Sequence, residues 1–193
     1  MRVIGGEFRS RSLKSVPGMD VRPTPDRLRE ALFNVLAPRI MGVLFVDAYA
    51  GCGAVGIEAL SRGAAKCVFL ERSRAAVSVL EQNLASLGLS GRAAIIQGKA
   101  ASNITRYQAD IVFLDPPYEH MKEYDACLTA MGEQPPQLVI AQHASRAQLK
   151  ERYGTLKRFR LLKQGDNSLS FYSPVVTTQV DRIQESEFRM ARE

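Results

Sequence analysis

Two short strings hold the residue types from which chemistry could be built. DAYAGCGAVG (47–56) sets Gly51, Gly53 and Gly56 in G-x-G-x-x-G spacing, and Glu71 stands twenty positions after the first of them. DPPY (115–118) closes an apolar run. Glycines so spaced let a strand-to-helix turn bring its backbone close to a ligand, and a carboxylate about twenty residues on suits ribose hydroxyls. Any ligand carrying an adenosine ribose asks for these features, a dinucleotide included.

In a dinucleotide fingerprint the first glycine follows the strand almost at once, so that pyrophosphate sits on the helix N-terminus. Here Asp47 and three further residues intervene. A fixed negative charge at that point opposes pyrophosphate. It suits S-adenosylmethionine, which has no phosphate and carries a sulfonium and an amino group. On this reading Gly51 and Gly53 let the backbone pass beneath the donor, Asp47 orients its cationic end directly or through water, and Glu71 takes the ribose hydroxyls. Taken singly, each glycine is a tight turn and Glu71 a solvated strand end; the weight lies in the combination.

DPPY supplies the other half of a methyl transfer. A nucleobase amine must present its nitrogen lone pair, delocalised into the ring, in line with the departing sulfur. A rigid Pro-Pro turn fixes the Pro116 carbonyl as one hydrogen-bond acceptor, with Asp115 as another, and Pro117 stiffens the turn; Tyr118 then stacks on the base. An isolated D-P-P-Y would read as a surface turn. After a buried strand, in a sheet that already has the glycine loop, it reads as an acceptor site. Methylation at cytosine C5 needs a nucleophilic cysteine, usually after proline, and no cysteine here follows one. Cys52 reads as a small packing residue. No metal is expected: His120 and His143 form no ligand cluster, although His120 lies near enough to the motif to touch substrate.

The elements that must position these strings alternate. VLFVD (43–47), KCVFLE (66–71), AAIIQ (93–97), DIVFLD (110–115) and QLVIAQ (137–142) read as buried strands separated by helical patterns, which makes a parallel α/β sheet. Their polar ends, Asp47, Glu71, Gln97, Asp115 and Gln142, are expected to face one crevice. TLKRFRLL (155–162) and SLSFYS (168–173), joined by a turn-rich segment, read as an antiparallel hairpin closing the sheet. Ahead of it MRVIGGEFRSRSLKSV offers two short strands around Gly5 and Gly6. RPTPDRLREALFNVL then offers a helix with Thr24 as N-cap and Pro25 at the first helical position. The expected division is a basic N-terminal hairpin extension (1–24), a catalytic domain (25–173) and a charged tail (174–193).

Net charge is +6, and its placement is uneven. Residues 1–29 hold seven Lys/Arg against three acids, and residues 150–163 hold six against one, so the remainder is slightly acidic. Two basic segments on an otherwise acidic chain fit a polyanion-binding face; the plain alternative is a soluble surface with chance clusters. Three cysteines without a C-x-x-C pair suggest neither a disulfide framework nor a zinc site. With no apolar leader at the start and no run near the roughly 18 apolar residues of a membrane span, the cytoplasm is the expected location.

The chain resembles a known family. VIGGEFRSRSL, VRPTPDRLREALFNVL, DAYAGCGAVGIEALSRGA, FLERS, FLDPPY and GDNSLSFY, in this order, look like the RsmD family of bacterial 16S ribosomal RNA guanine-N2 methyltransferases. The resemblance runs from residue 2 to about residue 173, and the N-terminal RPT-x-DR-x-RE-x-LFN string is more specific than the shared methyltransferase motifs. It implies a class I, Rossmann-like fold with a seven-stranded sheet, S-adenosylmethionine as donor, and a guanine of 16S rRNA, within the small ribosomal subunit or its assembly intermediate, as acceptor. Carried onto this sequence, Asp115, Pro116, Pro117 and Tyr118 form the base-amine site. Asp47, Gly51, Gly53, Glu71, Arg72, Lys99 and Ala100 form the donor site, and Arg9, Arg11, Arg22, Thr24 and Arg27 belong to the RNA grip of a monomer. Two departures stand out: Lys99 where such enzymes often place Asp or Asn beside adenine, leaving that contact to backbone at Lys99 or Ala100, and Gln142 where a glutamate is common. DPPY alone would also admit adenine N6 or a glutamine side chain as acceptor, and the fold would admit a non-catalytic RNA-binding assembly factor.

Overall fold

The computed structural model describes residues 1–16, 25–117 and 120–175. Helix α1 (Asp26–Leu36) leads into β1 (Leu44–Asp47), α2 (Ala54–Ser61), β2 (Lys66–Glu71), α3 (Arg74–Ser86), β3 (Ala93–Gln97) and β4 (Ile111–Leu114). Then come α4 (Met121–Glu133), β5 (Leu138–Ala144), β6 (Arg152–Tyr153), β7 (Leu156–Gln164) and β8 (Asn167–Pro174). One sheet runs in the order β3-β2-β1-β4-β5-β8-β7-β6. Its first five strands are mutually parallel, and β8, β7 and β6 add antiparallel.

The apolar runs form strands because both faces of the sheet are covered, and alternate residues feed two cores. Phe45, Phe69, Phe113, Ile140 and Phe171 point into a core shared with α1, α2, α3 and the N-terminal residues Val3 and Leu13. Val46, Val68, Val112, Val139 and Tyr172 meet α4 and a pair of single 3₁₀ turns on the other face. In α1, Leu28, Leu32, Phe33 and Leu36 supply the buried stripe that seats it.

Three expectations need correction. The sheet has eight strands rather than seven, because the two-residue β6 pairs with the start of β7. The closing hairpin is longer than its apolar core: β7 and β8 pair out to Gln164 and Asn167, across a two-residue turn where Gly165 takes φ +59°. Pro25 is the N-cap of α1, not its first helical residue, since its carbonyl already accepts from the Leu28 and Arg29 amides; Thr24 lies outside the described residues. The N-terminal hairpin is present and short: Arg2 bridges Ser12, and the Val3, Ser10 and Leu13 amides donate to the Arg11, Val3 and Met1 carbonyls at 2.9, 2.9 and 2.8 Å. It is docked on α2: Glu58, fully buried, accepts from the Ile4 and Gly5 amides at 2.7 and 2.8 Å. Ser61 Oγ donates to the Gly5 carbonyl and accepts from the Phe8 amide.

Candidate active site

Between β1 and β4 the sheet changes direction, with β2 and β3 built out on one side and β5 on the other. In an open α/β sheet the ligand crevice opens at this point. Asp47 is the register partner of Phe113, and the Ala48 amide donates to the Phe113 carbonyl at 3.0 Å. The glycine loop and the Asp115–Pro117 turn therefore leave adjacent strands, about 5 Å apart at their roots. Glu71 ends β2 on the other side of β1, and its partner Gln97 ends β3. The spatial row is Gly98–Ala100, Glu71, the glycine loop, Asp115.

The glycine loop is fixed by carboxylates collecting backbone amides. Asp47 is 2% exposed and accepts from the Gly56 amide at 2.8 Å. Burial pushes its carboxyl up to about 7, opposed by the Gly56 amide, reinforced by the charge of Glu71 and opposed again by the Tyr49 amide. Glu71 accepts from Gly51 through Oε2 at 2.8 Å and from Ser73 through Oε1 at 2.7 Å. Each of its oxygens keeps a lone pair for a further donor such as a sugar hydroxyl. The glycines divide their duties. Gly51, at φ +55°, has open space where a Cβ would be. Gly53, at φ +87°, would drive a Cβ to 2.3 Å from Leu80 Cδ1, and Gly56 would meet Phe69 at 2.3 Å. Only Gly51 leaves room above the backbone for a ligand.

The acceptor turn is held the opposite way, by donors reaching its carbonyls. Asp115 is half-buried, Pro116 buried and Pro117 exposed. Buried Tyr124 donates to the Gln142 carbonyl at 2.6 Å and reaches the Pro116 carbonyl at 3.4 Å. The His120 amide donates to the Pro117 carbonyl at 2.9 Å. The turn is thus pinned to β5 and to the start of α4.

Tyr118, Arg22 and Thr24 lie outside the described residues. Arg72 is exposed just beyond Glu71, and Lys99 is exposed with its carbonyl held by Asn103 Nδ2 at 2.8 Å. Ala100 is buried. Arg9, Arg11 and Arg27 are exposed, and Arg11 makes a long contact of 3.4 Å with the Ser86 carbonyl. Gln142 does not end its strand: antiparallel pairing with β8 carries β5 on to Ala144, and Gln142 is buried within it. His143 is structural, its ring nitrogens 2.9 Å from the Ala144 carbonyl and Ser170 Oγ, and burial lowers its pKa. Cys52 packs against the core, and burial raises its thiol. Among the described residues no group of three or more His, Cys, Asp or Glu is placed to hold a metal, and no helix is long and apolar enough to cross a membrane.

Three residues of the site are not readable from the motifs. Asn83, 1% exposed, donates to the Cys52 and Lys14 carbonyls and accepts from the Lys14 amide, tying the glycine loop to the N-terminal segment. Tyr124 is the second, and Tyr49, whose hydroxyl donates to Glu123 at 2.8 Å, is the third. The only signal for each is an uncommon polar residue on an otherwise apolar helical face or loop.

The chain matches the family described as Conserved hypothetical protein 95 over residues 1–173. It is 35% identical over 183 residues to the Bacillus subtilis protein YlbH, provisionally named an rRNA methyltransferase, covering 89% of this chain and 98% of that protein. It is 43% identical over 120 residues to ribosomal RNA small subunit methyltransferase D of Escherichia coli, a match covering 61% of this chain and 60% of that protein. The solved Escherichia coli protein yhhF superposes with a TM-score of 0.76 at 32% identity, covering 90% of this chain and 97% of that one. The fold is also shared, at a TM-score of 0.61 and 16% identity over 81% of this chain and 97% of the other, by a Salinibacter ruber RNA methyltransferase solved with S-adenosyl-L-homocysteine. The motifs, the strand order and these matches agree, and the chain belongs to the family described as Conserved hypothetical protein 95, the RsmD family.

Proposed function

We propose that this chain transfers a methyl group from S-adenosylmethionine to the exocyclic N2 amine of a guanine in 16S rRNA, presented by the small ribosomal subunit or its assembly intermediate. The observation that supports this most directly is the departure of the glycine loop and the Asp115–Pro117 turn from adjacent strands at the switch point. The Glu71 carboxylate on the donor side would repel a pyrophosphate and suit a cation.

In this reading Glu71 takes the ribose hydroxyls with its remaining lone pairs, and Gly51 gives the donor its floor. Asp47 sets the loop through the Gly56 amide and helps orient the cationic end of the donor, directly or through water. Gly53 seats the loop on α3, Arg72 flanks the ribose, and backbone at Lys99 and Ala100 faces the adenine. The donor supplies an electrophilic methyl on a positively charged sulfur. Asp115 and the Pro116 carbonyl accept the two amine protons, which orients the lone pair, Pro117 keeps the turn rigid, and Tyr118 stacks on the base. Residues 1–24 make up the basic extension, which α2 holds at Ile4, Gly5 and Phe8, and Arg9, Arg11, Arg22, Thr24 and Arg27 grip phosphates. No metal takes part, the enzyme works as a monomer in the cytoplasm, and residues 25–173 carry the catalysis.

Transfer of a labelled methyl group, followed by nucleoside analysis, tests the reading on small-subunit particles, naked 16S rRNA, DNA and protein. The expected product is N2-methylguanosine in ribosomal RNA. Label in N6-methyladenosine or in glutamine would replace the acceptor, and binding to RNA without transfer would make the chain an assembly factor.

A further inference from the structure

One polar contact crosses the switch point itself. Tyr49 follows Asp47 in the loop after β1, and its hydroxyl donates to Glu123 Oε2 at 2.8 Å in the first turn of α4. The same hydroxyl lies 3.4 Å from Cys127 Sγ, one turn further along that helix and fully buried. Burial raises the Tyr49 phenol well above its ordinary value, so the hydroxyl keeps its proton and serves as the donor to Glu123.

Both ends of this contact lead into the catalytic segments. Tyr49 stands two residues after Asp47, whose carboxyl holds the Gly56 amide at 2.8 Å. From Glu123 the amide donates to the His120 carbonyl, and the His120 amide donates to the Pro117 carbonyl, each at 2.9 Å. The Tyr49–Glu123 bond thus joins the short loop that Asp47 ties to the start of α2 with the hydrogen-bonded turn that leads from Glu123 back to Pro117. Glu123 also occupies the first turn of its helix, where the amide dipoles favour a carboxylate and help keep it in place.

We propose that the Tyr49–Glu123 hydrogen bond is a positioning contact that fixes the spacing between the donor loop and the acceptor turn. Tyr49 acts on the reaction through Glu123 and not by touching either substrate. This rests on the methyl-transfer reading above. In-line transfer is sensitive to spacing, and a misplacement of about 1 Å can cost about 10²-fold in rate. A contact whose two ends lie on the two segments is suited to set that spacing.

The test is a double-mutant cycle on the full chain with small-subunit particles as acceptor. Tyr49→Phe and Glu123→Ala are each expected to lower kcat by about 5–20-fold, with S-adenosylhomocysteine affinity within about twofold of wild type. Glu123→Gln, which keeps an acceptor for the hydroxyl, restores the rate to within about threefold. The double variant falls no further than the worse single one. Losses that add in the double variant, or a kcat for Tyr49→Phe within twofold of wild type, would overturn the proposal.

A second measurement needs no turnover. In wild type, S-adenosylhomocysteine bound at the glycine loop should slow amide hydrogen exchange in residues 121–127 of α4, and Tyr49→Phe should abolish that protection while leaving protection of residues 50–56 intact. Protection that survives the substitution, or is missing from wild type, rules the contact out. If wild-type chain methylates no RNA, the functional reading falls, and the exchange experiment decides this contact by itself.

Discussion

At the glycine loop, two carboxylates gather backbone amides: Asp47 takes Gly56, and Glu71 takes Gly51 and Ser73. At the Asp115–Pro117 turn the roles reverse, and a phenol and an amide hold carbonyls, Tyr124 reaching Pro116 and Gln142, His120 reaching Pro117. The contrast follows the ligands each side would meet. A cationic donor is matched by acceptors locked in position before it arrives, which lowers the ordering cost of binding. An amine with protons to give needs acceptors of its own, and a rigid turn offers them at a fixed separation. Binding and rate should therefore respond separately to damage on the two sides.

The largest test of that division is Asp115→Ala. It should lower methyl transfer by about 10³-fold or more while donor affinity stays within about twofold. Glu71→Ala should do the reverse, weakening donor binding by about 10–100-fold with little loss of rate at saturating donor. Calorimetry with S-adenosylhomocysteine and single-turnover transfer, run on both variants, measure the two quantities. If Asp115→Ala weakens the donor as much as Glu71→Ala does, the two sides are one site and the division is wrong.

Asp47 gives the donor side a pH signature. Its carboxyl lies near 7 in the fold against an ordinary 3.8, chiefly because it is buried. A raised carboxyl favours the folded chain in its protonated form, so this contribution is full below about pH 4 and is lost as pH rises through about 7. Relative to Asp47→Asn, which keeps an acceptor for Gly56, wild type should lose on the order of 3–4 kcal/mol between pH 4 and pH 7.5. Urea unfolding of both proteins at the two pH values checks this. A constant difference would mean that the carboxyl ionises in the fold near its ordinary 3.8 and that burial does not raise it.

Much of this arrangement was legible in the sequence. The five parallel strands sit where their apolar runs predict, because strands buried on both faces need continuous Val, Ile, Leu and Phe. The glycine loop, Glu71 and Asp115 come together as expected for the same reason: strand ends in a parallel sheet share one edge. Glu58, Asn83, Tyr49 and Tyr124 were not legible. Each is defined by a partner 8 to 74 residues away, and a period-3.6 reading of their own segments records only a polar residue. The extension of β5 past Gln142 escaped for a related reason, since pairing with β8 decides where that strand stops.

Within the donor loop, two neighbouring glycines should separate stability from binding. Gly53→Ala forces both a positive φ and contact with Leu80, and should cost about 2–4 kcal/mol in unfolding free energy. Gly51→Ala meets only the backbone strain, about 1 kcal/mol. Because its new methyl occupies the space offered to the donor, Gly51→Ala should nevertheless weaken S-adenosylhomocysteine more than Gly53→Ala does once both are folded. Equal effects on binding would place the donor elsewhere along the loop.

The smallest effect is expected on the acceptor side, from Tyr124→Phe. The ring stays buried, edge-on to His143 at 6.5 Å, so packing is unchanged and only the hydroxyl is lost. Its short bond goes to the Gln142 carbonyl and its long one, 3.4 Å, to Pro116. Stability should therefore fall by about 0.5–1.5 kcal/mol, most of it from β5. The Pro116 carbonyl is held mainly by the stiffness of the Pro-Pro turn, so transfer should drop by no more than about threefold. A rate loss near that of Asp115→Ala would reverse this order: the hydroxyl, and not proline rigidity, would then be what aims the carbonyl at the amine.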